Sequence, residues 1–237
     1  GTSRGNIFSF VVARRFAHGW SAQAIFTKGR ALDALSSNDN GVGSGERVID
    51  VANINKQWGR ADYDVRNRLV LDGVWEIPTP FRSGVLKQVL GNWHISATAI
   101  FQSGLPFSVY TSASYPTGDY NGDGYNYDQP NTPAFGNFVS ASRSDFLNGV
   151  FSRSDFPVPQ KGQPGNLGRN TFEGPGLANV NTSVIKAVHI PWFTGPEGAT
   201  FELRGEIATL FNRVNLSAPT SDLSSALFGK STGQGRP

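Results

Sequence analysis

The chain has 237 residues with 21 Lys plus Arg against 18 Asp plus Glu, and the formal net charge of +3 is too small and too scattered to mark a nucleic-acid-binding surface. Cysteine is absent, which excludes a disulfide scaffold, thiolate metal sites and cysteine catalysis. With 28 Gly, 14 Pro, 12% aromatic and only 16% charged residues, the composition is poor in helix formers and points to β structure.

Period-2 alternation is the strongest pattern, and it occurs six times. Residues 6–16 put Phe8, Phe10, Val12 and Phe16 on one face. Residues 18–27 set Trp20, Ala22, Ala24 and Phe26 against Ser21, Gln23 and Thr27. Residues 63–77 alternate Val65, Leu69, Leu71, Trp75 and Ile77 with Arg66, Arg68, Asp72 and Glu76. Residues 92–102 set Trp93, Ile95, Ala97, Ala99 and Phe101 against His94, Ser96, Thr98 and Gln102. Residues 178–190 alternate more weakly, with Val180, Val184 and Val188 opposite Asn179, Asn181 and Ser183. Residues 200–211 set Phe201, Leu203, Ile207 and Phe211 against Glu202, Arg204 and Glu206.

Each stretch is about 10 residues or somewhat more, long for a soluble strand and suited to one crossing a bilayer at a tilt. The links differ sharply. Residues 17–19 form a tight turn, 78–91 and 191–199 are modest, and 29–62 and 106–177 are very long and rich in Gly, Ser, Asn, Asp and Pro. In an antiparallel meander every long loop falls at one end, the asymmetry of outer-membrane barrels. Trp20, Trp75, Trp93 and Trp192 fall at the short-turn end and Trp58 at the other, the distribution of an interfacial aromatic girdle. Alternation alone fits a soluble sandwich equally well, since its sheets also have one apolar and one wet face. No apolar run nears the ~18 residues of a transmembrane helix, which leaves a membrane-spanning barrel open. Methionine is absent even at position 1, so the chain is expected to be processed or a piece of a longer protein, and no signal peptide is in view.

The run from Ala61 to Pro78, ADYDVRNRLVLDGVWEIP, resembles a late barrel strand of TonB-dependent outer-membrane receptors, in particular the Oar-like family with a carboxypeptidase-regulatory-like domain. Other stretches are similar in the same order. They are Arg14-Arg15-Phe16 with His18-Gly19, Gln23-Ala24, Phe26-Thr27 and Arg30-Ala31-Leu32-Asp33; Gly91-Asn92-Trp93-His94-Ile95-Ser96 leading to Gln102-Ser103-Gly104-Leu105-Pro106-Phe107; Gly165-Asn166-Leu167-Gly168-Arg169-Asn170 with Gly174-Pro175-Gly176; and the stretch from Phe201 to Asn212 followed by Asn215. The plug domain and energy-coupling box of the working receptor are not in the sequence, and it stops where the family runs into its final strand. The resemblance implies an all-β, antiparallel up-and-down meander of about six long strands, the C-terminal part of a 22-stranded barrel in the bacterial outer membrane. It further implies energised uptake of a bulky nutrient, no enzymatic activity, and as partners the plug of the same protein, the TonB energy-coupling complex and outer-membrane lipid. Phe8, Phe10, Trp20, Leu69, Leu71, Ile95, Phe101 and Leu203 would then face lipid, and Arg66, Arg68, Asp72, Glu76, Gln102, Glu202, Arg204 and Glu206 the lumen or plug. Two unpaired edges would invite self-association if the piece stood alone.

Several local patterns carry chemistry of their own. Asp119, Asn121 and Asp123 occupy positions 1, 3 and 5 of a calcium loop, with Gly124 at the turn and the Tyr125 carbonyl at 7. Position 12 is Pro130, leaving Asp128 to close the site by a different geometry; the alternative is a polar turn held by Asx hydrogen bonds. No other cofactor is required. Gly1-Thr2-Ser3-Arg4-Gly5 reads as a nucleophile elbow without a strand before it or nearby partners among His18, His94 and His189. Gly41-Val42-Gly43-Ser44-Gly45 lacks the lysine of a phosphate loop. Asp72, Glu76, Glu202 and Glu206 are read as a charge-paired lumen wall rather than a glycosidase pair. Arg14-Arg15 reads as interfacial anchoring. Tyr110, Tyr115, Tyr120, Tyr125, Tyr127, Phe135 and Phe138 suit either ligand stacking or mutual packing of long loops. The rival from another class is a secreted, soluble β-sandwich binding glycan through these loops, with calcium.

Overall fold

The computed structural model describes residues 2–36, 54–113, 117–124, 127–136, 141–190 and 199–235. Its strands are β1 (Ser3–Ala17), β2 (Trp20–Asp33), β3 (Gly59–Arg60), β4 (Asn67–Glu76), β5 (Trp93–Gln102), β6 (Pro106–Phe107), β7 (Phe172–Glu173), β8 (Leu177–Ile190) and β9 (Ala199–Ile207). Two short helices, α1 (Gly84–Leu90) and α2 (Arg143–Asn148), lie in the links. The six long strands form one antiparallel sheet in the order β1-β2-β4-β5-β8-β9, with β3 paired to the outer end of β2. The sheet is open: β1 and β9 each have a long-strand neighbour on one side only among the described residues.

The six alternating stretches are therefore six consecutive strands of a meander. Their bounds differ where local chemistry overrides the pattern. The β1–β2 hairpin turns in two residues, His18 and Gly19, whose φ values of 55° and 82° are the doubly positive pair that matches the twist of the flanking strands. β2 runs on to Asp33 because its end pairs with Ser3, Arg4 and Gly5 of β1 and with β3. β9 stops at Ile207: Thr209 and Asn212 take positive φ, and Asn181 Oδ1 accepts the Thr209 N–H at 3.0 Å, so Leu210 and Phe211 lie past the strand. The link 78–91 contains α1, a helix without a side-chain cap that the sequence pattern does not show.

Directly opposed residues in an antiparallel pair point to the same side, so the register carries one face across the whole sheet. One row reads Phe10, Phe26, Leu69, Phe101, Ala178; the next reads Val12, Ala24, Leu71, Ala99, Val180. Toward the short turns, Trp20 pairs Trp75, Trp75 pairs Ile95 and Ile95 pairs Val184. Phe201, Leu203 and Ile207 of β9 fall on this face opposite Val188, Lys186 and Thr182. The other face carries Gln23, Asp72, Thr98 and Asn181 in one row and Ser21, Val74, Ser96, Ser183 and Glu206 in another. A slip of one residue anywhere would exchange the two sets.

Among the described residues no second sheet layers over the apolar face; the other sheet there is the pair of dipeptide strands β6 and β7. Phe8 and Phe201 are 67% and 56% exposed, and Leu71 and Trp75 are also exposed. The buried core lies elsewhere. Phe107, Val109, Phe151, Phe156, Leu167, Phe172 and Phe228 form a cluster built from the loop between β5 and β8 and the segment after β9. Ring centroids stand 4.7 Å apart for Phe151 and Phe172 and 5.6 Å for Phe156 and Phe228, and Phe135 stacks on Phe151 at 5.8 Å. The molecule is a two-faced wall with an independently packed cap at its long-loop end.

Candidate functional site

The polar face of the wall is hydrogen-bonded strand to strand. Thr98 Oγ1 donates to Asp72 Oδ1 at 2.8 Å, and the Ser96 and Ser183 hydroxyls share a hydrogen bond at 2.7 Å. Arg204 and Glu206 approach to 3.6 Å and His94 Nδ1 lies 3.6 Å from Glu76. Arg68, Asp72, Glu76, Gln102, Glu202, Arg204 and Glu206 thus share one face. Arg66 lies just before β4, and its Nε sits 2.9 Å from the buried carboxylate of Asp64 instead of a strand carboxylate. A cavity of about 390 Å³ runs along this face beside Arg15, Gln23, Asp72, Ser96 and Thr98. The face is not polar throughout: Val11, Ile25, Val70 and Ile100 form one aliphatic row across it.

At the short-turn end of the apolar face, Trp20 and Trp75 are paired and Trp93 opens β5 opposite Lys186. The Arg14 guanidinium sits 3.8 Å over the Trp20 ring, and Lys186 Nζ lies 5.5 Å from the Trp93 ring while donating to the Gly91 carbonyl. A cation on an indole face at one level is the chemistry of a bilayer boundary. Trp192 lies outside the described residues.

The cap is tied to the wall by a buried ionic clasp. Arg169, whose side chain is 4% exposed, donates to the Asp33 carboxylate and backbone carbonyl at the end of β2, to the Gln57 carbonyl at 3.1 Å and to Asp62 at 3.3 Å. Asn170 Nδ2 donates to the Arg60 carbonyl at 2.8 Å. Asp64, also buried, accepts from Arg60 Nε at 2.7 Å and from the Ala31 N–H at 2.7 Å. A Cβ on Gly59 would stand 2.7 Å from the Arg169 carbonyl, so close backbone approach requires glycine there. The sequence shows Arg169 within a motif but not its partner, which lies 136 positions away.

The Asp119 loop is a hydrogen-bonded turn. Asp119 Oδ1 accepts the N–H groups of Gly122 (2.8 Å) and Asp123 (3.1 Å), and Oδ2 accepts that of Gly124 (3.0 Å). Asp128 Oδ2 accepts those of Tyr120 (2.7 Å) and Asn121 (3.2 Å). Burial pushes the Asp128 carboxyl up, reinforced by Asp123 and Asp119 and opposed by those two N–H donors. Burial likewise raises Tyr120, with Asp128 adding to it. Asp119 and Asp128 thus hold the loop as an Asx-type turn through backbone donors, the alternative the spacing also offered; Tyr125 lies outside the described residues. No cluster of three or more metal-ligating side chains occurs among the described residues.

The remaining patterns place as follows. Ser3 opens β1 opposite Asp33, and His18 sits in the turn at the far end of the same strand, so the two are far apart. Residues 41–45, Tyr115 and Phe138 lie outside the described residues. Tyr110 packs on Tyr127 at 5.3 Å, Tyr120 is buried and Phe135 covers the phenylalanine cluster, so these rings order the cap.

A protein-family model described as an outer membrane beta barrel domain matches residues 1–237. Comparison with curated proteins and with solved structures finds no match. The long antiparallel strands, the uncovered apolar face and the all-chain match agree: the chain belongs to the outer membrane β-barrel domain family and is a protein of the bacterial outer membrane.

Proposed function

We propose that this chain forms part of the wall and outer mouth of a TonB-dependent receptor, a transporter and not an enzyme, which takes up a bulky nutrient using energy delivered by the TonB complex. The observation that carries the reading is the division of labour between the two faces of the sheet. A continuous apolar face, without a second layer among the described residues, is made for lipid. Its reverse, lined by Asp72, Thr98, Ser96, Glu202 and Arg204, is made for a wet lumen or a plug. The packed cap at the long-loop end stands where ligands enter. The ordered series of motifs around Arg68, Trp93, Arg169 and Phe211 supports the receptor assignment.

Retention of the full-length protein on the immobilised C-terminal domain of TonB tests the reading. Specific retention, lost when the protein's energy-coupling segment is deleted, is the expected result. No retention above a porin control would contradict it. The protein is also expected to require detergent or lipid to stay dispersed, which a soluble sandwich does not.

A further inference from the structure

Toward the long loops the apolar face ends in a groove. Phe26, Leu69, Phe101 and Ala178, adjacent in register on β2, β4, β5 and β8, form its floor. Phe146 of α2, with Arg143 and Arg213, closes over it, and the space is about 480 Å³. α2 is fixed there by its Ser142–Asp145 capping box and by Arg143 Nη1 donating to the Val214 carbonyl at 2.6 Å.

The charge around this groove is one-sided. Arg143 and Arg213 line it, and among the described residues no carboxylate does. Lys28 lies one row further out on the same face, paired to Asn67, which also lines the groove. Neither Lys28 nor Arg213 has a carboxylate partner among the described residues. Trp20 and Phe26 stand about 20 Å apart along β2, at 3.3 Å per residue. At the 35–45° tilt of barrel strands this rises about 15 Å of a band about 25 Å tall, so the floor of the groove lies in the outer part of the apolar band and Arg143 and Arg213 reach it from the headgroup side. Guanidinium groups at that depth favour phosphate oxygens, which they bind with paired N–H donors.

We propose that this groove binds a phosphate-bearing membrane lipid of the outer leaflet, its headgroup between Arg143 and Arg213 and its acyl chains running down over Phe26, Leu69 and Phe101. The proposal rests on assigning the apolar face to lipid. Charge complementarity and continuity with that face select an anionic amphiphile over a peptide or a second copy of the chain.

The test uses the full-length protein extracted in mild detergent, with bis-phosphorylated lipid A as the probe and native mass spectrometry and thermal shift as readouts. Wild type is expected to retain lipid A and gain melting temperature from it. The Arg143→Gln/Arg213→Gln variant should bind it about tenfold more weakly or worse, taking about 1 kcal/mol for each cation near a charged surface. Arg213→Gln alone, at an exposed side chain outside the helix, should show part of that loss, and the double Arg→Lys variant should recover most of it. Zwitterionic phosphatidylcholine and inorganic phosphate should do neither. Equal retention by wild type and the Gln variant, equal effects of phosphatidylcholine, or competition by inorganic phosphate would overturn the proposal. A nitroxide on Phe101→Cys separates the two levels. A lipid-exposed label with arginine-independent lipid A binding refutes the groove alone, whereas a label shielded from lipid refutes the assignment of the face as well.

Discussion

The wall and the cap solve opposite problems with the same residue types. In the wall, Phe8, Phe10, Leu71 and Phe201 point away from any protein layer, and what order there is comes from the strand ladders and from strict alternation. In the cap, Phe107, Phe151, Phe156, Phe172 and Phe228 close on one another and shed water in the ordinary way of a soluble core. One chain thus holds apolar surface made for hydrocarbon and apolar surface made for itself. The difference predicts that the two regions fail separately, and for different reasons.

The largest effects belong to the cap. Phe172 is almost fully enclosed, and Phe172→Ala should cost the cap about 3–5 kcal/mol. Arg169→Ala should cost a similar amount, about 3–5 kcal/mol, because the buried Asp33 carboxylate loses its partner. For both variants, limited proteolysis should cut between β5 and β8, while the heat-modifiable gel mobility of the folded barrel persists. Loss of barrel mobility would mean that wall and cap are one cooperative unit.

Next comes Leu71, midway between the Trp20–Trp75 pair and the Lys28–Asn67 pair. Leu71→Arg should cost about 2–4 kcal/mol in a bilayer, read by urea-dependent refolding into vesicles, with Asp72→Arg on the opposite face costing much less. Similar costs at both positions would break the distinction between the faces.

Smaller effects distinguish the cap's carboxylates. Burial pushes Asp222 up, but hydrogen bonds from Ser112 and Ser224 outweigh it and hold its pKa below the usual range. Its stabilisation is present above the unfolded pKa and lost as pH falls through the folded one. Asp128 is raised, so its contribution runs the other way, favouring the folded cap toward acid. Asp222→Asn should therefore weaken the cap by about 1 kcal/mol at neutral pH and reduce its acid sensitivity, measured by proteolysis across pH 3–7. The smallest effect is expected from calcium. With Asp119 already accepting three N–H donors, millimolar calcium should leave the melting temperature unchanged, and a dose-dependent rise would establish a metal site.

The wall was legible because its information is local. Alternation within each strand fixes which side chains share a face, and linking Leu69 to Phe101 or Asp72 to Thr98 then requires only that neighbours in sequence pair in space. The same reasoning could not reach the cap. Phe107 meets Phe172 across a long stretch of Gly, Pro and Asn that carries no period, and Arg169 meets Asp33 from the far end of that stretch with β4 and β5 in between. Its aromatics were visible as a population but not as a core. The Asp119 pattern shows the complementary hazard: spacing alone fits a cation or a turn, and the backbone donors that Asp119 accepts come from loop geometry that spacing does not carry. The groove was hidden for both reasons, since its floor is readable from register while Arg143 and Arg213 arrive from a short helix in the long loop and from the segment past β9.

The sequence contains no cysteine, so single cysteines can be placed along β4 and β5 and labelled with nitroxides in the full-length protein reconstituted in lipid. Labels at positions 69, 71, 75, 95 and 101 should collide with oxygen dissolved in the bilayer, and labels at 68, 72, 96, 98 and 102 with a water-soluble nickel reagent, alternating residue by residue. Uniform accessibility along both strands, or burial of the first set from both reagents, would contradict an apolar face turned to lipid.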